Sequence, residues 1–219
     1  MTLTVACVLK VNLTQDARFQ AYLPKHARRL HEMVAKHLKQ PFRFVCLTNI
    51  ASVHLPFFDT QPIGHDWPGW WSKISLFQPG RFEGRVLYLD LDVTVVGSLD
   101  DLADFPESFI AIQDYAHPIR INSSVMVWDA GVADHVYLKF LEAVETFGAS
   151  SPMEKMHGDQ NWIHAHIHAA RFPKRWCPSY KAHVLPAGEV PEDARVVVFH
   201  GLPKPWDLPV DHLENPVAA

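Results

Sequence analysis

The stretch RVLYLDLDVTVVGSL, residues 85–99, decides how the rest of the chain is read. Its Val, Leu and Tyr residues have the β-branched and aromatic character of a buried strand, yet Asp90 and Asp92 interrupt it. Residues two apart on a strand project to the same face, so the spacing predicts two carboxylates pointing together. Burying unpaired carboxylates is costly, and a converging pair is worse than one alone. A divalent cation would cancel that repulsion and supply a Lewis acid. The plainer alternative is a strand running out into a polar turn. That explanation suits Asp100 and Asp101 in GSLDDL, residues 97–102, better than the apolar-flanked Asp90 and Asp92.

Outward from this stretch, the N-terminal run LTVACVLKV (3–11) is apolar without alternation, as expected of a central parallel strand covered on both faces. Residues 24–38 follow with helical spacing of Leu30, Val34 and Leu38, and with Pro24 in the first turn. PFRFVCLTN (41–49) is a second strand, so the chain opens as a βαβ unit. A short helix is predicted near Trp70, strands at FIAIQD (109–114) and SSVMVWD (123–129), and a helix at 133–147. A further helix is predicted over GDQNWIHAHIHAARF (158–172) and a last strand at RVVVFH (195–200). No repeat, low-complexity segment or linker interrupts residues 1–219, which predicts a single α/β domain with a proline-rich tail from about residue 201. Its expected architecture is a mixed, mostly parallel, Rossmann-like sheet with helices on both faces.

The 219 residues are 48% hydrophobic and 20% charged, ordinary for a globular protein with a substantial core. A formal net charge of −4 gives no basic field for nucleic acid, so no nucleic-acid partner is expected. The basic run Lys25–Arg29 reads as a helix face. Cys7 and Cys46 lie in apolar strands and read as reduced core thiols, with Cys177 left over. Without a transmembrane-length apolar run or a signal-like start, the expectation is a cytoplasmic protein, at most peripheral at the inner face of a membrane.

Three further segments carry chemistry. VVVFHGLPKPW (196–206) sets His200 at the end of an apolar run, where it can join Asp90 and Asp92 as a third metal ligand. Imidazole suits Mn²⁺ better than Mg²⁺, although either ion fits the carboxylates. Lys204, held between two prolines, is a point charge suited to a diphosphate. HAHIHAA (164–170) has the look of a metal cluster, but only His164 and His168 would share a helical face. WPGWW (67–71) can stack a sugar or pack beside a site. The same LYLDLDVTVV also matches the D-x-D-x-T strand of haloacid-dehalogenase-like phosphatases, in which Asp90 would be the nucleophile. That family places this strand first and requires a second acidic pair, and HGDQNWIH (157–164) does not supply it.

Taken together, these segments resemble the glycogenin-like retaining glycosyltransferases of GT-A fold, over most of the chain. WWSKISLF (70–77) resembles the Lys-bearing helix ahead of the D-x-D and implies that Lys73 lies near the donor. FIAIQD ends in Asp114 and INSSVMVWD (121–129) carries Asn122, both implied to contact the sugar. GDQ resembles the donor-sugar element, implying that Asp159 and Gln160 sit nearest the anomeric centre. HGLPKPW resembles the terminal metal and phosphate motif, with His200 on the metal and Gly201, Lys204 and Trp206 on the donor. The resemblance implies transfer of a hexose from a nucleotide-diphosphate sugar, UDP by family habit, with retention and with Mn²⁺ or Mg²⁺ held by Asp90, Asp92 and His200. The acceptor, whether glycan, lipid-linked or protein, is left open. The chain departs from the pattern in a shorter His200-to-Lys204 spacer, in Ser124 where Gly is usual, and in His164 where Asn is common. LKVNLTQD (9–16) does not reproduce the family's base contacts. The departures at Ser124 and His164 keep a non-catalytic nucleotide-sugar-binding protein as a further alternative.

Overall fold

The computed structural model describes residues 2–11, 22–50, 58–148, 150–156, 158–209 and 212–213. Most of the first loop, including residues 12–16 of the segment read for base contacts, lies outside them.

Strand β1 (Leu3–Leu9) is buried along almost all of its length, as its uninterrupted apolar run requires. Helix α1 (Pro24–His37) starts on Pro24 and buries Ala27, Leu30 and Val34 on one stripe. Strand β2 (Phe42–Thr48) pairs parallel with β1, which sets the free thiols Cys7 and Cys46 side by side in the core. Short β3 (Asp59–Pro62) closes this edge of the sheet, ending on a proline that cannot donate to a further strand. A 3₁₀ segment, Gly69–Phe77, supplies the helix expected near Trp70. It buries Trp71, Ile74, Leu76 and Phe77, and Trp67 and Trp71 pack on Phe140. Two of the aromatics of WPGWW are therefore core residues, whereas Trp70 is 43% exposed.

Strand β4 (Arg85–Leu89) stops one residue before Asp90. The expected strand through Asp92 is thus shorter than the apolar pattern suggests: residues 90–92 form a turn into β5 (Val93–Val95). Then follow α2 (Asp100–Ala103), β6 (Phe109–Gln113), β7 (Ile121–Asp129), α3 (Asp134–Phe147), α4 (Ser150–Lys155), α5 (Asp159–His166), β8 (Ala170–Arg171) and β9 (Val196–Val198). The helix expected over 158–172 ends at His166, because Ile167 turns extended and the chain leaves to form β8 beside β6. His164 and His168 consequently do not share a helical face.

The seven strands of the main sheet run in the order β3-β2-β1-β4-β7-β6-β8. All pairings are parallel except those of β7, which is antiparallel to both neighbours. One apolar cluster joins β1 to α1 and α2; the other joins the opposite sheet face to the 3₁₀ segment, α3 and α5. This is the mixed, mostly parallel α/β architecture with both faces covered that the sequence predicts.

A small second sheet matters most for the site. Strands β5 and β9 pair antiparallel with Val93 opposite Val198. One residue further along each strand, the chain reaches Asp92 on one side and Phe199 followed by His200 on the other. The turn after β5 demands a small residue, since a Cβ on Gly97 would lie 2.3 Å from the Ala194 carbonyl oxygen. Gly97→Ala should therefore cost about 1–3 kcal/mol, the usual penalty of overpacking against backbone, read as a lowered urea midpoint.

Candidate active site

The carboxyl ends of β1, β4 and β6 lie on the same side of the sheet, where ligands usually bind in an open α/β sheet. Asp90 follows Tyr88 by two residues, and the period of the strand carries one step into the turn, so both face the same side. The Tyr88 hydroxyl donates to Asp90 Oδ1 at 2.5 Å, and the Asp90 N–H donates to the Ser124 carbonyl at 2.9 Å. Lys73 approaches from the 3₁₀ segment, 2.9 Å from Asp90 Oδ1 and 3.2 Å from Asp159 Oδ2. The Ser123 hydroxyl completes the cluster, donating to Asp159 at 2.8 Å and accepting from Lys73 at 3.2 Å. Lys73 is therefore a buried cation between two carboxylates. Burial alone would lower its pKa, but Asp159 and Asp90 outweigh that and hold it above the ordinary lysine range. Burial likewise pushes Asp90 up, yet the Lys73 charge and hydrogen bonds from Tyr88, Lys73 and Ser124 bring it below the usual carboxylate range.

Asp92, 7% exposed, has a different set of partners. The Lys204 ammonium pairs with its Oδ2, and the Tyr22 hydroxyl donates to the same oxygen at 3.0 Å. Arg29 of α1 donates to the Val93 carbonyl at 2.9 Å and to Thr94 Oγ1 at 2.8 Å, fastening α1 to the strand that follows. The charges at 90 and 92 are thus made tolerable by two lysines and two tyrosines, one of each per carboxylate. Each carboxylate keeps its own lysine, and the negative charge of both reaches Tyr22 and His200.

His200 lies between these groups and the surface, its ring 4.4 Å from that of Tyr115. Burial lowers its pKa against the raising effect of Asp92, Asp114 and Asp90, so the imidazole is neutral near pH 7 with a lone pair to give. Asp114 directly follows β6 and accepts from the Ala116 and His117 amides at 2.8 and 3.0 Å. Its other oxygen accepts from Gln160 Nε2 at 2.7 Å, which couples the β6 end to α5. Asn122 is buried beside the register shift between Ala111 and Ile112, its Oδ1 accepting from the Ser124 N–H at 2.8 Å. Gly158, at φ +98°, makes the turn that starts α5 at Asp159, and a Cβ there would meet Trp70 Nε1 at 3.2 Å. Gly201, at φ +64°, turns the chain directly after His200.

Trp206 does not face the crevice alone. Its ring stacks on His26 of α1 at 3.8 Å with an interplanar angle of 7°, and Tyr22 meets it edge-on at 5.9 Å. His26 Nδ1 accepts from the Leu23 N–H at 3.0 Å, and its buried Nε2 has no hydrogen-bond partner among the described residues. Burial and the Lys25 and Arg29 charges lower His26 to about 4. Between that value and the ordinary 6.5, the unfolded chain takes up a proton that the folded chain refuses, so stability falls as pH drops through this window. His26→Phe keeps an aromatic ring for Trp206 and should flatten the fall between pH 6.5 and 4 relative to the parent, measured by thermal melts across that range. An unchanged profile would remove His26 from the account.

Chemically, two carboxylates and a neutral imidazole are a fitting donor set for a divalent cation. Among the described residues, however, no three His, Cys, Asp or Glu side chains stand close enough to hold one as they are. The position at Asp92 is taken by Lys204. Sequence reasoning missed Tyr22, Tyr88, Ser123 and His26. Tyr88 and Ser123 were within reach of it, Tyr88 by the two-residue period before Asp90 and Ser123 by adjacency to Asn122. Nothing local marks Tyr22 or His26.

No family model matches the chain. In sequence it is similar to a glycogenin of Neurospora crassa, 28% identical over 138 residues, which is 62% of this chain but 19% of that protein. In structure it is similar to the glycosyltransferase GlyE of Streptococcus pneumoniae TIGR4, with a TM-score of 0.68 at 14% identity over 94% of this chain and 56% of that one. The galactosyltransferase LgtC, solved in complex with donor and acceptor sugar analogues, aligns with a TM-score of 0.61 at 15% identity, covering 93% of this chain and 89% of its own. The chain has the GT-A glycosyltransferase fold. It spans about a fifth of the length of the glycogenin it matches and little more than half of GlyE. No helix among the described residues is long and apolar enough to cross a membrane.

Proposed function

We propose that the protein is a metal-dependent glycosyltransferase that moves a hexose from a nucleotide-diphosphate sugar, a UDP-hexose, to an acceptor hydroxyl with retention of configuration. The observation that carries this reading is the register of β5 against β9. It brings the segment bearing His200 and Lys204 against Asp92, while Lys73 joins Asp90 to Asp159. The sequence likeness to a glycogenin and the fold shared with sugar transferases support the same reaction class.

Asp90, Asp92 and His200 would hold Mn²⁺ or Mg²⁺, which supplies electrostatic stabilisation of the leaving diphosphate. The Lys204 ammonium, paired with Asp92 here and with Gly201 and Trp206 shaping its turn, would bind the diphosphate oxygens. Lys73 stays between Asp90 and Asp159, fixing both carboxylates in place. Asp114 and Asn122 orient the sugar hydroxyls, and the Gln160 amide holds Asp114 in place. In the transfer, the acceptor oxygen bonds to the anomeric carbon as the bond from that carbon to the diphosphate breaks. The electron pair leaves with the diphosphate, and the acceptor proton passes to a phosphate oxygen. Asp159 and Gln160 are the groups assigned to the face of the anomeric centre.

The test is a thermal-shift panel of nucleotide diphosphates and their hexose conjugates, each with and without Mn²⁺. Stabilisation by UDP species only when the metal is present is the expected result. Indifference to every nucleotide would overturn the proposal. Donor turnover with no metal requirement would overturn the metal part alone. No observation in the fold favours the phosphatase reading, since Asp90 is held by Lys73 and Tyr88 within a glycosyltransferase fold.

A further inference from the structure

The loop between β6 and β7 holds an isoleucine out in water. Ile119 is 87% exposed, yet the loop around it is fastened rather than loose. The Gln113 amide donates to the Pro118 carbonyl at 2.7 Å, the Arg120 N–H to the His117 carbonyl at 2.8 Å, and the Asp114 N–H to the Arg120 carbonyl at 3.0 Å. The Arg171 guanidinium, from β8, donates to the Ile119 carbonyl itself at 3.3 Å. Backbone tied in this way presents its side chain in one place, so the exposed isoleucine is a built feature of the fold.

Ile119 is not alone on this face. Tyr115, 46% exposed, packs its ring against His200, and Leu202, 61% exposed, directly follows Gly201. Tyr115, Pro118 and Lys174 border one pocket beside His200, and the Lys181 ammonium stands 3.8 Å from where a Cβ on Gly201 would be. These apolar side chains therefore share a surface with Arg120, Lys174 and Lys181, all exposed. Across the contributing segments, 114–120, 171–174, 179–183 and 200–204, the one carboxylate is Asp114, and it is buried. None of the three cations has an ion-pair partner among the described residues, whereas Arg175, next to Lys174, is paired with Asp193.

Exposure alone does not single out this face. Leu138 and Phe147 of α3 are exposed too, but their helix also carries Glu142 and Glu145. With a formal net charge of −4, the chain as a whole is repelled by an anionic surface. Screening confines that repulsion to about 10 Å, so at contact the local charge decides, and a face with unpaired cations is drawn in. Apolar side chains interleaved with cations fit the headgroup boundary of a bilayer, where the charges meet phosphate and the apolar groups meet acyl chain. A soluble polyanion would use the cations and leave Ile119 in water.

We infer that the surface made by Tyr115, Ile119, Arg120, Lys174, Lys181 and Leu202 docks the protein on an anionic lipid bilayer as a peripheral contact. The docked face carries the His200 turn, so the pocket beside His200 opens at the bilayer surface. The inference stands on this surface and not on the transferase reading.

The test is cosedimentation of the whole chain with phosphatidylcholine vesicles, with and without phosphatidylglycerol, at low and high salt. The anionic vesicles should bind about tenfold more tightly at low salt, and the difference should shrink as salt rises. Arg120→Gln, Lys174→Gln and Lys181→Gln should each weaken that binding about fivefold, and Ile119→Ser about tenfold, with the melting temperature unchanged. Leu138→Ser combined with Phe147→Ser, on α3, should leave vesicle binding as it is. Equal binding to both vesicle types, no binding to either, or binding that survives Ile119→Ser together with the three cation substitutions would overturn the inference. Vesicle binding that falls with the cations but is indifferent to Ile119→Ser, alongside equally tight binding of heparin, would overturn it in favour of a soluble polyanion.

Discussion

Lys73→Met should destabilise the protein by about 3–5 kcal/mol and abolish sugar transfer, the largest effect expected of any single substitution. The ammonium is 2.9 Å from Asp90 and 3.2 Å from Asp159, and all three side chains are buried or nearly so. Removing the cation leaves two carboxylates whose remaining side-chain partners among the described residues are hydroxyls, Tyr88 and Ser124 for Asp90 and Ser123 for Asp159. The cost comes from those uncompensated charges rather than from the lost attraction itself, and this distinction can be measured. Lys73→Met combined with Asp159→Asn removes one of the orphaned charges and should recover part of the lost stability in urea titrations. The pH dependence has a definite sign. In the parent, Asp90 is held below its ordinary carboxylate pKa, so its contribution is complete at neutral pH and is lost as pH falls through the acid range. In Lys73→Met the carboxylates pick up protons more readily, so the gap between variant and parent should narrow on acidification. A midpoint within experimental error of the parent at neutral pH would show that the cluster is not a charged one.

Asp92→Asn should remove the metal-dependent part of turnover, a loss of roughly a hundredfold or more, since even partners one step beyond a metal ligand typically contribute tenfold to a hundredfold. The substitution keeps the shape of the side chain and an oxygen for the Tyr22 hydroxyl, so a cooperative melt should persist. Undiminished Mn²⁺-dependent transfer in this variant would rule out Asp92 as a ligand. Lys204→Met distinguishes the two tasks assigned to that lysine. If Lys204 only neutralises Asp92, its removal should tighten the response to Mn²⁺ and leave the donor KM unchanged. If it also meets the diphosphate, the donor KM should rise even with saturating metal.

The residues of this site were unequally legible. Lys73, Asp114, Asn122, Asp159 and Gln160 were identified from short motifs. The structure brings Lys73 to Asp159, and Gln160 to Asp114. Their motifs sit at strand ends and helix starts, where local sequence and position in the fold are tightly coupled. Tyr22 and His26 carry no such mark. They matter only because α1 runs under the C-terminal turn, where Tyr22 reaches Asp92 and His26 stacks on Trp206 across most of the chain's length. The meaning of the two aspartates also changed. The apolar pattern ran on past Leu89, but strand pairing with β7 ends there, with one last bond from the Asp90 N–H to Ser124, and the turn hands each carboxylate to its own lysine.

By itself, the sequence determined the α/β class, the buried parallel start of the sheet and the positions at which strands surrender polar residues to a crevice. Those properties follow from periodicity and burial, which act over a few residues and are written locally. Which charges neutralise which was decided only by the tertiary structure, because a salt bridge depends on distances of a few ångströms between segments a hundred residues apart. The pairing of β5 with β9 is the clearest case. Val93-Thr94-Val95 on one side and three valines on the other carry no signal naming each other, and their antiparallel register is what brings Lys204 to Asp92.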